Sequence, residues 1–139
     1  MFSDLEERAF RAPNGEFGWR REDVRLVVPI LVTDCVAILG GEVWWVPDGA
    51  DRWTGLIPQR DGPDAVYPWE TKRDQGEEWM AFVRRCAAES LQCVDRFPAD
   101  TDLPPDLGGQ ILYNVPWVSE DEYLDLDRGQ GGRSSSPAA

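Results

Sequence analysis

The segment Glu77–Phe97 restricts the fold of this chain more than any other part of the sequence. Apolar side chains recur there at steps of three and four residues, which is typical of one face of an α-helix. Gly76 precedes the segment and Pro98 follows it, and both residue types favour helix boundaries. The apolar stripe consists of Trp79, Phe82, Val83, Cys86, Ser90, Cys93, Val94 and Phe97. The sequence therefore predicts a helix that lies on a sheet, with the Ser90 hydroxyl bonded back to the helix backbone.

A second helix and several short strands complete the predicted fold. Apolar residues at helical spacing predict a helix over 22–34, although Pro29 should kink or split it. Strands are predicted at 36–39, 42–46, 52–57, 65–69 and 111–118, the last of them at a sheet edge. Gly40-Gly41 forms either a bulge within one longer strand, which we favour, or a hairpin turn. The predicted class is α+β, with a small antiparallel sheet packed against two main helices.

Length and composition divide the chain into one domain and a tail. A chain of 139 residues has room for one core, and residues 1–118 are predicted to form this single α+β domain. The capping-box spacing of Ser3 and Glu6 allows a short helix at Ser3–Arg11. Residues 119–139 are predicted to be an acidic, disordered tail, because a run of acids is followed by GQGGRSSSPAA.

The charge of the chain narrows the class of partner. Its 26 acidic residues exceed its 14 basic ones, which gives a formal net charge of −12. Such a surface repels phosphate backbones and anionic lipids, so neither nucleic acid nor a membrane is the expected partner. A basic protein would instead be attracted, and its association would be accelerated. The alternative is that the excess of acids only maintains solubility.

The cysteines and the N-terminus favour a reducing compartment. Three cysteines are an odd number, and Cys86 and Cys93 lie too far apart on one helix to be bridged, so we interpret the cysteines as small core residues. The start MFSDLEERAF has no apolar region typical of a signal peptide. The longest apolar run, Leu26–Val32, is too short to cross a bilayer. The expected location is the cytoplasm.

The residue types present argue against catalysis. The chain has no histidine, which removes the commonest general base and metal ligand. It contains no CxxC pair and no glycine-rich phosphate loop, so we expect no metal and no cofactor. An enzyme that uses carboxylates alone remains the weaker alternative, although Asp125 and Asp127 lie in a polar segment where solvation is expected.

The middle of the chain resembles the Immunity protein 40 family. The resemblance covers roughly Glu22–Phe97 and consists of a helix, the strand VAILGGEVW at 36–44, Trp69, and a helix in which Ser90 follows Trp79 by eleven residues. It departs from the family at Glu42, where the family has aspartate, and in the acidic extension after Pro98. The resemblance implies a non-enzymatic cytoplasmic protein that neutralises a bacterial toxin by binding it.

The candidate partner-binding residues combine acids with indoles. In strand 42–46 we place Val43 and Trp45 towards the core, so that Glu42 and Trp44 face outwards. For Trp44 the alternative is that it covers a second small helix, and for Glu42 that it is a buried, paired carboxylate. Trp53 and Trp69 could present an aromatic platform across a sheet face. The full candidate set is Glu42, Trp44, Asp48, Asp51, Trp53, Trp69 and Glu70.

Three functional hypotheses follow from these observations. The first is an immunity protein that docks on a toxin through an acidic, aromatic surface. The second is a general protein-interaction module or an inhibitor that mimics nucleic acid. The third is a carboxylate-dependent enzyme. The acidic run Glu120–Asp127 is interpreted either as a solvated tail or as an electrostatic arm that reaches a basic partner.

Overall fold

The computed structural model describes residues 2–50, 68–97 and 108–132, and these contain nine helices and strands. The helices are α1 (Phe2–Arg8), α2 (Arg21–Thr33), α3 (Trp79–Arg96) and α4 (Glu120–Gly132). The strands are β1 (Phe10–Arg11), β2 (Phe17–Gly18), β3 (Gly40–Val46), β4 (Trp69–Glu70) and β5 (Gln110–Asn114). The predicted α+β class is confirmed.

The central sheet has three antiparallel strands in the order β4-β3-β5. A separate hairpin, β1-β2, joins this sheet through Trp19, whose backbone exchanges two hydrogen bonds with Tyr113 at 2.9 and 2.8 Å. Strand β5 is therefore bonded along both of its sides, unlike the predicted edge strand, and it ends before Pro116. Of the predicted strand 36–39, only Ala37 makes a bridge, with Val118. The predicted strand 52–57 lies outside the described residues.

Helices α2 and α3 cover one face of this sheet, as predicted. Val43 and Tyr113, which are register partners on β3 and β5, contribute to one buried core together with apolar residues of both helices. Glu78 caps α3, because its carboxylate accepts hydrogen bonds from the backbone N–H groups of Met80 and Ala81. The apolar stripe therefore determines which face of α3 packs on the sheet.

Helix α2 is not split at Pro29, which was one of the two effects predicted there. Helix α2 runs through this exposed proline, and Val27, Val28 and Leu31 around it are buried. The Thr33 hydroxyl donates a hydrogen bond of 3.1 Å to the Pro29 carbonyl oxygen. Burial of the apolar face thus outweighs the single backbone hydrogen bond that the proline removes.

The opposite face of the sheet is covered by the N-terminal hairpin, which corrects the predicted orientation of Trp44. Trp44 is 0% exposed. The Phe10 ring meets it edge-on at 6.3 Å, and Gly18 lies so close that a β-carbon there would approach the indole to 2.8 Å. Both faces of β3 are therefore buried, although the prediction assigned only the Val43 face to the core. Trp44 is covered by the hairpin rather than by a second helix.

Helix α4 differs from the predicted disordered tail. Ser119 and Glu122 form a capping box, in which the Ser119 N–H donates to the Glu122 carboxylate at 2.8 Å and the Glu122 N–H donates to the Ser119 hydroxyl at 3.2 Å. The Tyr123 ring then packs against Trp79 and Phe82, with both centroid distances at 5.6 Å. These contacts explain why an acidic segment forms a helix here.

Cys35 follows the end of helix α2 in a conformation that usually requires glycine. The sequence predicted a core position for this residue, whereas the structure places it at the surface. Its φ is 61°, and the N–H groups of Cys35 and Val36 donate to the carbonyl oxygens of Val32 and Leu31. This pattern is a Schellman motif with Cys35 at the left-handed position. Cys86 and Cys93 are buried, as predicted.

Replacing Cys35 with glycine should raise the free energy of unfolding by about 0.5–1 kcal/mol, because the strain of a β-carbon at positive φ exceeds the added flexibility of the unfolded chain. The Trp79 indole N–H would keep its bond to the carbonyl oxygen at position 35, which is 2.8 Å long. Urea denaturation measures the change. Cys35→Ala is the matched control, because it removes the thiol and keeps the β-carbon. An equal gain in both variants would contradict the explanation.

None of the helices in the described ranges combines the length and the apolar composition needed to cross a bilayer.

Candidate functional site

Of the two indoles in the predicted aromatic platform, Trp69 belongs to the described residues and Trp53 lies outside them. Trp69 is half-buried, its ring lies 5.9 Å from that of Phe97, and its indole N–H donates to the Ser90 hydroxyl at 3.2 Å. The Ser90 hydroxyl therefore accepts a hydrogen bond from a distant tryptophan, which the prediction of a bond to its own helix backbone missed. Trp44 points to the opposite side of the sheet, under the hairpin. Trp69 thus ties β4 to α3.

The carboxylate of Glu42 is also engaged inside the protein. Glu42 is half-buried, and it accepts a hydrogen bond of 2.8 Å from the Trp44 indole N–H. The alternative interpretation of Glu42 as a paired carboxylate thus matches the structure more closely than an outward-facing contact. The pair Glu42 and Trp44 has a structural role that explains both residues.

Of the four remaining candidate partner-binding residues, two lie on the surface and two lie outside the described residues. Asp48 and Glu70 are exposed. Glu70 pairs with Gly40 at the start of β3, whereas Asp48 follows the end of the same strand. Asp51 and Trp53 lie outside the described residues. The structure therefore separates Asp48 and Glu70 at the two ends of β3 instead of joining them in one patch.

A cluster of carboxylates surrounds Arg85 on α3. The guanidinium lies 2.7 Å from Glu77, 3.1 Å from Glu89 and 3.8 Å from Asp74, and it also donates to the Lys72 carbonyl oxygen. Hydrogen bonds from Arg85 and from the Asp74 N–H lower the pKa of Glu77 to about 2. Arg85 therefore ties these carboxylates to the loop before α3, and its single positive charge offsets part of their negative charge.

The Glu77 contact should make stability depend on pH. A carboxylate whose pKa is lowered from 4.5 to about 2 on folding stabilises the native state above pH 4.5, and this contribution is lost as the pH falls towards 2. The urea concentration at the midpoint of unfolding should thus be higher for the wild type than for Glu77→Gln at neutral pH, and this difference should shrink below pH 4.5. A difference that stays constant down to about pH 2.5 would contradict the assignment.

Other reactive groups are arranged for packing. Burial raises the pKa of the Cys86 thiol to about 12, so that the nucleophilic thiolate is disfavoured. No group of three or more acids or cysteines capable of holding a metal ion occurs within residues 2–50, 68–97 and 108–132. The described part of the chain also has two surface features, an exposed helix and a cavity.

The first of these features is the exposed surface of α4 on both sides of Tyr123, which we call the acidic helix surface. Its carboxylates are exposed at Glu120, Asp121, Glu122 and Asp125. Leu124 and Leu126 are 38% and 48% exposed, and with Leu26 they are the large apolar side chains most exposed within the described ranges. The sequence carried a signal for this helix in the capping-box spacing of Ser119 and Glu122, which composition alone concealed.

The second feature is a cavity of about 230 Å³ beside the hairpin, which we call the aromatic cavity. Gly15, Glu16, Phe17, Trp19, Asn114, Val115, Pro116 and Trp117 line it. Most of this lining is apolar, and Glu16 is its only charged residue. Sequence reasoning missed the cavity, because its walls come from segments almost one hundred residues apart. The sequence feature that points to exposed rings is the presence of seven tryptophans in a chain of this length.

Comparison with known proteins adds no relative: no protein-family model, no curated protein and no solved structure matches this chain.

Proposed function

We propose that this protein binds and neutralises a bacterial protein toxin in the cytoplasm, and that it docks through the acidic helix surface. The resemblance of residues 22–97 to the Immunity protein 40 family suggests the class of partner. The observation that carries the proposal is α4, which exposes four carboxylates together with Leu124 and Leu126 on the two sides of Tyr123. Leu124 and Leu126 offer a partner apolar contact area in addition to the charges.

The leucines and the acids would contribute differently to binding. Burying a leucine side chain against a partner contributes about 1.5–3 kcal/mol, which chiefly slows dissociation. Exposed carboxylates attract a basic surface and accelerate association, an effect that salt weakens. An inhibitor that mimics nucleic acid would depend on the acids alone, so the contribution of Leu124 and Leu126 separates these two hypotheses.

Helix α4 is anchored through Tyr123, so that its acids and leucines remain on the protein surface. Tyr123 occupies a box formed by Trp79, Phe82 and Arg73, whose guanidinium carbon lies 5.7 Å from the tyrosine ring centroid. Arg73 is itself fixed by two hydrogen bonds to the Glu77 carbonyl oxygen, at 3.0 and 2.7 Å. The helix is thus presented on a rigid support, which reduces the entropy lost on binding.

The test is co-expression with the toxin domains encoded beside the gene, followed by binding measurements on the toxin that is neutralised. Leu124→Ala/Leu126→Ala should weaken binding at least 10-fold and reduce rescue of growth, because alanine preserves the helix and removes the anchors. Leu26→Ala is the matched control, since Leu26 is 52% exposed on α2. Equal binding by both variants would overturn the site, and failure to neutralise any neighbouring toxin would overturn the function.

The acids are tested separately by Glu120→Gln/Asp121→Asn, which leaves the Ser119–Glu122 capping box intact. This variant should lower the association rate and reduce its dependence on salt, with a small effect on dissociation. Glu7→Gln/Asp34→Asn removes the same charge from exposed positions elsewhere and should leave the association rate closer to that of wild type. Equal rates in the two variants would contradict local steering by α4.

A further inference from the structure

We propose that the aromatic cavity receives one arginine side chain of the protein partner, stacked on Trp117 with its guanidinium paired to Glu16. This inference rests on the proposed function, because the partner is a protein with a basic surface. It assigns a second contact, beside the hairpin, that is separate from the acidic helix surface.

The cavity is preformed. Phe2 supports its aromatic wall from within, with ring centroids 5.9 Å from Trp19 and 5.8 Å from Trp117. The Asn114 amide donates to the Phe17 carbonyl oxygen at 2.9 Å and thereby ties the hairpin to the end of β5. The walls therefore need no rearrangement to admit a side chain, which reduces the cost of binding.

The volume indicates the size of the occupant. About 230 Å³ lies below the roughly 300–1,000 Å³ that pockets for small-molecule ligands and cofactors occupy. A cavity of this size suits one large side chain. The side chains that most often anchor protein interfaces in such pockets are tryptophan, tyrosine and arginine.

Glu16 selects arginine among these three. Asn14 holds its carboxylate in place, because the Asn14 amide donates to Glu16 at 2.7 Å and accepts from the Glu16 N–H at 3.0 Å. A neutral aromatic anchor would desolvate this carboxylate and leave it without a counter-charge. A guanidinium can pair with it through two parallel hydrogen bonds while stacking on an indole, whereas the strongly hydrated ammonium of lysine cannot.

Trp117 is the ring on which the guanidinium stacks. Phe17 already has the guanidinium carbon of Arg11 over its ring, 5.0 Å from the centroid. Trp19 is 0% exposed and therefore lies behind the other rings. Trp117 is half-buried, and Phe2 meets it edge-on, with an interplanar angle of 90°. Cation–π attraction is strongest for tryptophan, which adds to the preference for arginine.

The experiment is a titration of the full chain with N-acetyl-L-arginine amide, followed by the indole N–H resonances in two-dimensional NMR spectra. The Trp19 and Trp117 resonances should shift saturably, with half-saturation in the millimolar range expected for a single side chain. Glu16→Gln and Trp117→Leu should each weaken binding at least 5-fold, and Glu7→Gln should not. The lysine and leucine analogues of the probe should bind at least 5-fold more weakly than the arginine probe.

Several outcomes would overturn the proposal: no saturable shift, equal binding of the leucine analogue, or an unchanged affinity in Glu16→Gln. The rescue assay separates it from the proposed function. Rescue that depends on Leu124 and Leu126 but not on Glu16 would support the function and overturn the assignment of the cavity to the partner's arginine. Probe binding that depends on Glu16, without neutralisation of any toxin, would support the arginine specificity of the cavity and overturn the function.

Discussion

Replacing Gly41 with alanine should lower the free energy of unfolding by about 3 kcal/mol, the largest single-residue effect that we expect in this fold. A β-carbon at Gly41 would collide with the Asn114 carbonyl oxygen and approach two ring carbons of Trp69 to 2.5 and 2.6 Å. Gly41 does not have a positive φ, so the requirement comes from close packing. The Asn114 neighbour is backbone, and the Trp69 indole is held by its hydrogen bond to Ser90, so neither can move aside without a large loss of stability.

Urea denaturation of Gly41→Ala and of Gly49→Ala separates collision from backbone strain. Gly49 has a φ of 75° and no atom within 4 Å of an added β-carbon, so its substitution should cost only about 1 kcal/mol. The slope of unfolding against urea concentration should stay unchanged in both variants. A cost below about 1 kcal/mol for Gly41→Ala would show that Trp69 does not pack over β3 as described.

The glycine pair also shows where prediction from sequence reaches its limit. The sequence predicted either a bulge or a turn at Gly40-Gly41, because glycine is common in both. In the structure both glycines are strand residues, paired with Glu70 and Trp69 of β4. Because they have no side chains, both glycines leave room for the neighbouring strand and for an indole. The need for glycine therefore arises from tertiary contacts, which cannot be deduced from the local sequence.

The elements that sequence predicted well are those with strong periodicity. The 3.6-residue repeat of apolar residues placed α3 within two residues of its observed start and one of its end, and the capping residue at Glu78 agrees with that start. The same pattern placed α2, where the proline suggested a break that packing prevents. Periodicity is informative because it reports which face must be buried, whatever the partner.

The orientation of β3 was harder to predict. Alternation separates Val43 and Trp45 from Trp44, but it does not reveal whether one face or both are covered. The covering residues are Phe10 and Gly18. The sequence allowed a helix at Ser3–Arg11, whereas the observed helix ends at Arg8 and Phe10 lies in β1. Because the hairpin and β3 are distant in sequence, the burial of Trp44 could not be deduced from the strand itself. For this reason the prediction that Trp44 faces outwards was wrong.

Trp44→Phe should destabilise the protein by about 1.5–3 kcal/mol more than Trp19→Phe, although both tryptophans are 0% exposed and lose the same atoms. The Trp44 indole N–H donates to the Glu42 carboxylate at 2.8 Å, so its loss leaves a half-buried charge without that donor. The Trp19 indole N–H is buried and has no hydrogen-bond acceptor within the described residues. Because a buried donor without an acceptor destabilises the folded state, Trp19→Phe removes an unfavourable contribution together with the ring atoms.

A double-mutant cycle with Glu42→Ala and Trp44→Phe isolates the contribution of this hydrogen bond. The two substitutions should be non-additive, with a coupling free energy of about 1.5–3 kcal/mol. The reason is that either substitution alone already removes the hydrogen bond between Glu42 and Trp44. Glu42→Ala combined with Trp19→Phe is the matched control and should be additive. Equal coupling in the control would mean that the coupling is not specific to this hydrogen bond. Additivity in the Trp44 pair would mean that Glu42 does not bind the indole. In that case Glu42 would again be an outward-facing contact, because a carboxylate released from Trp44 at this position would be available to a basic partner.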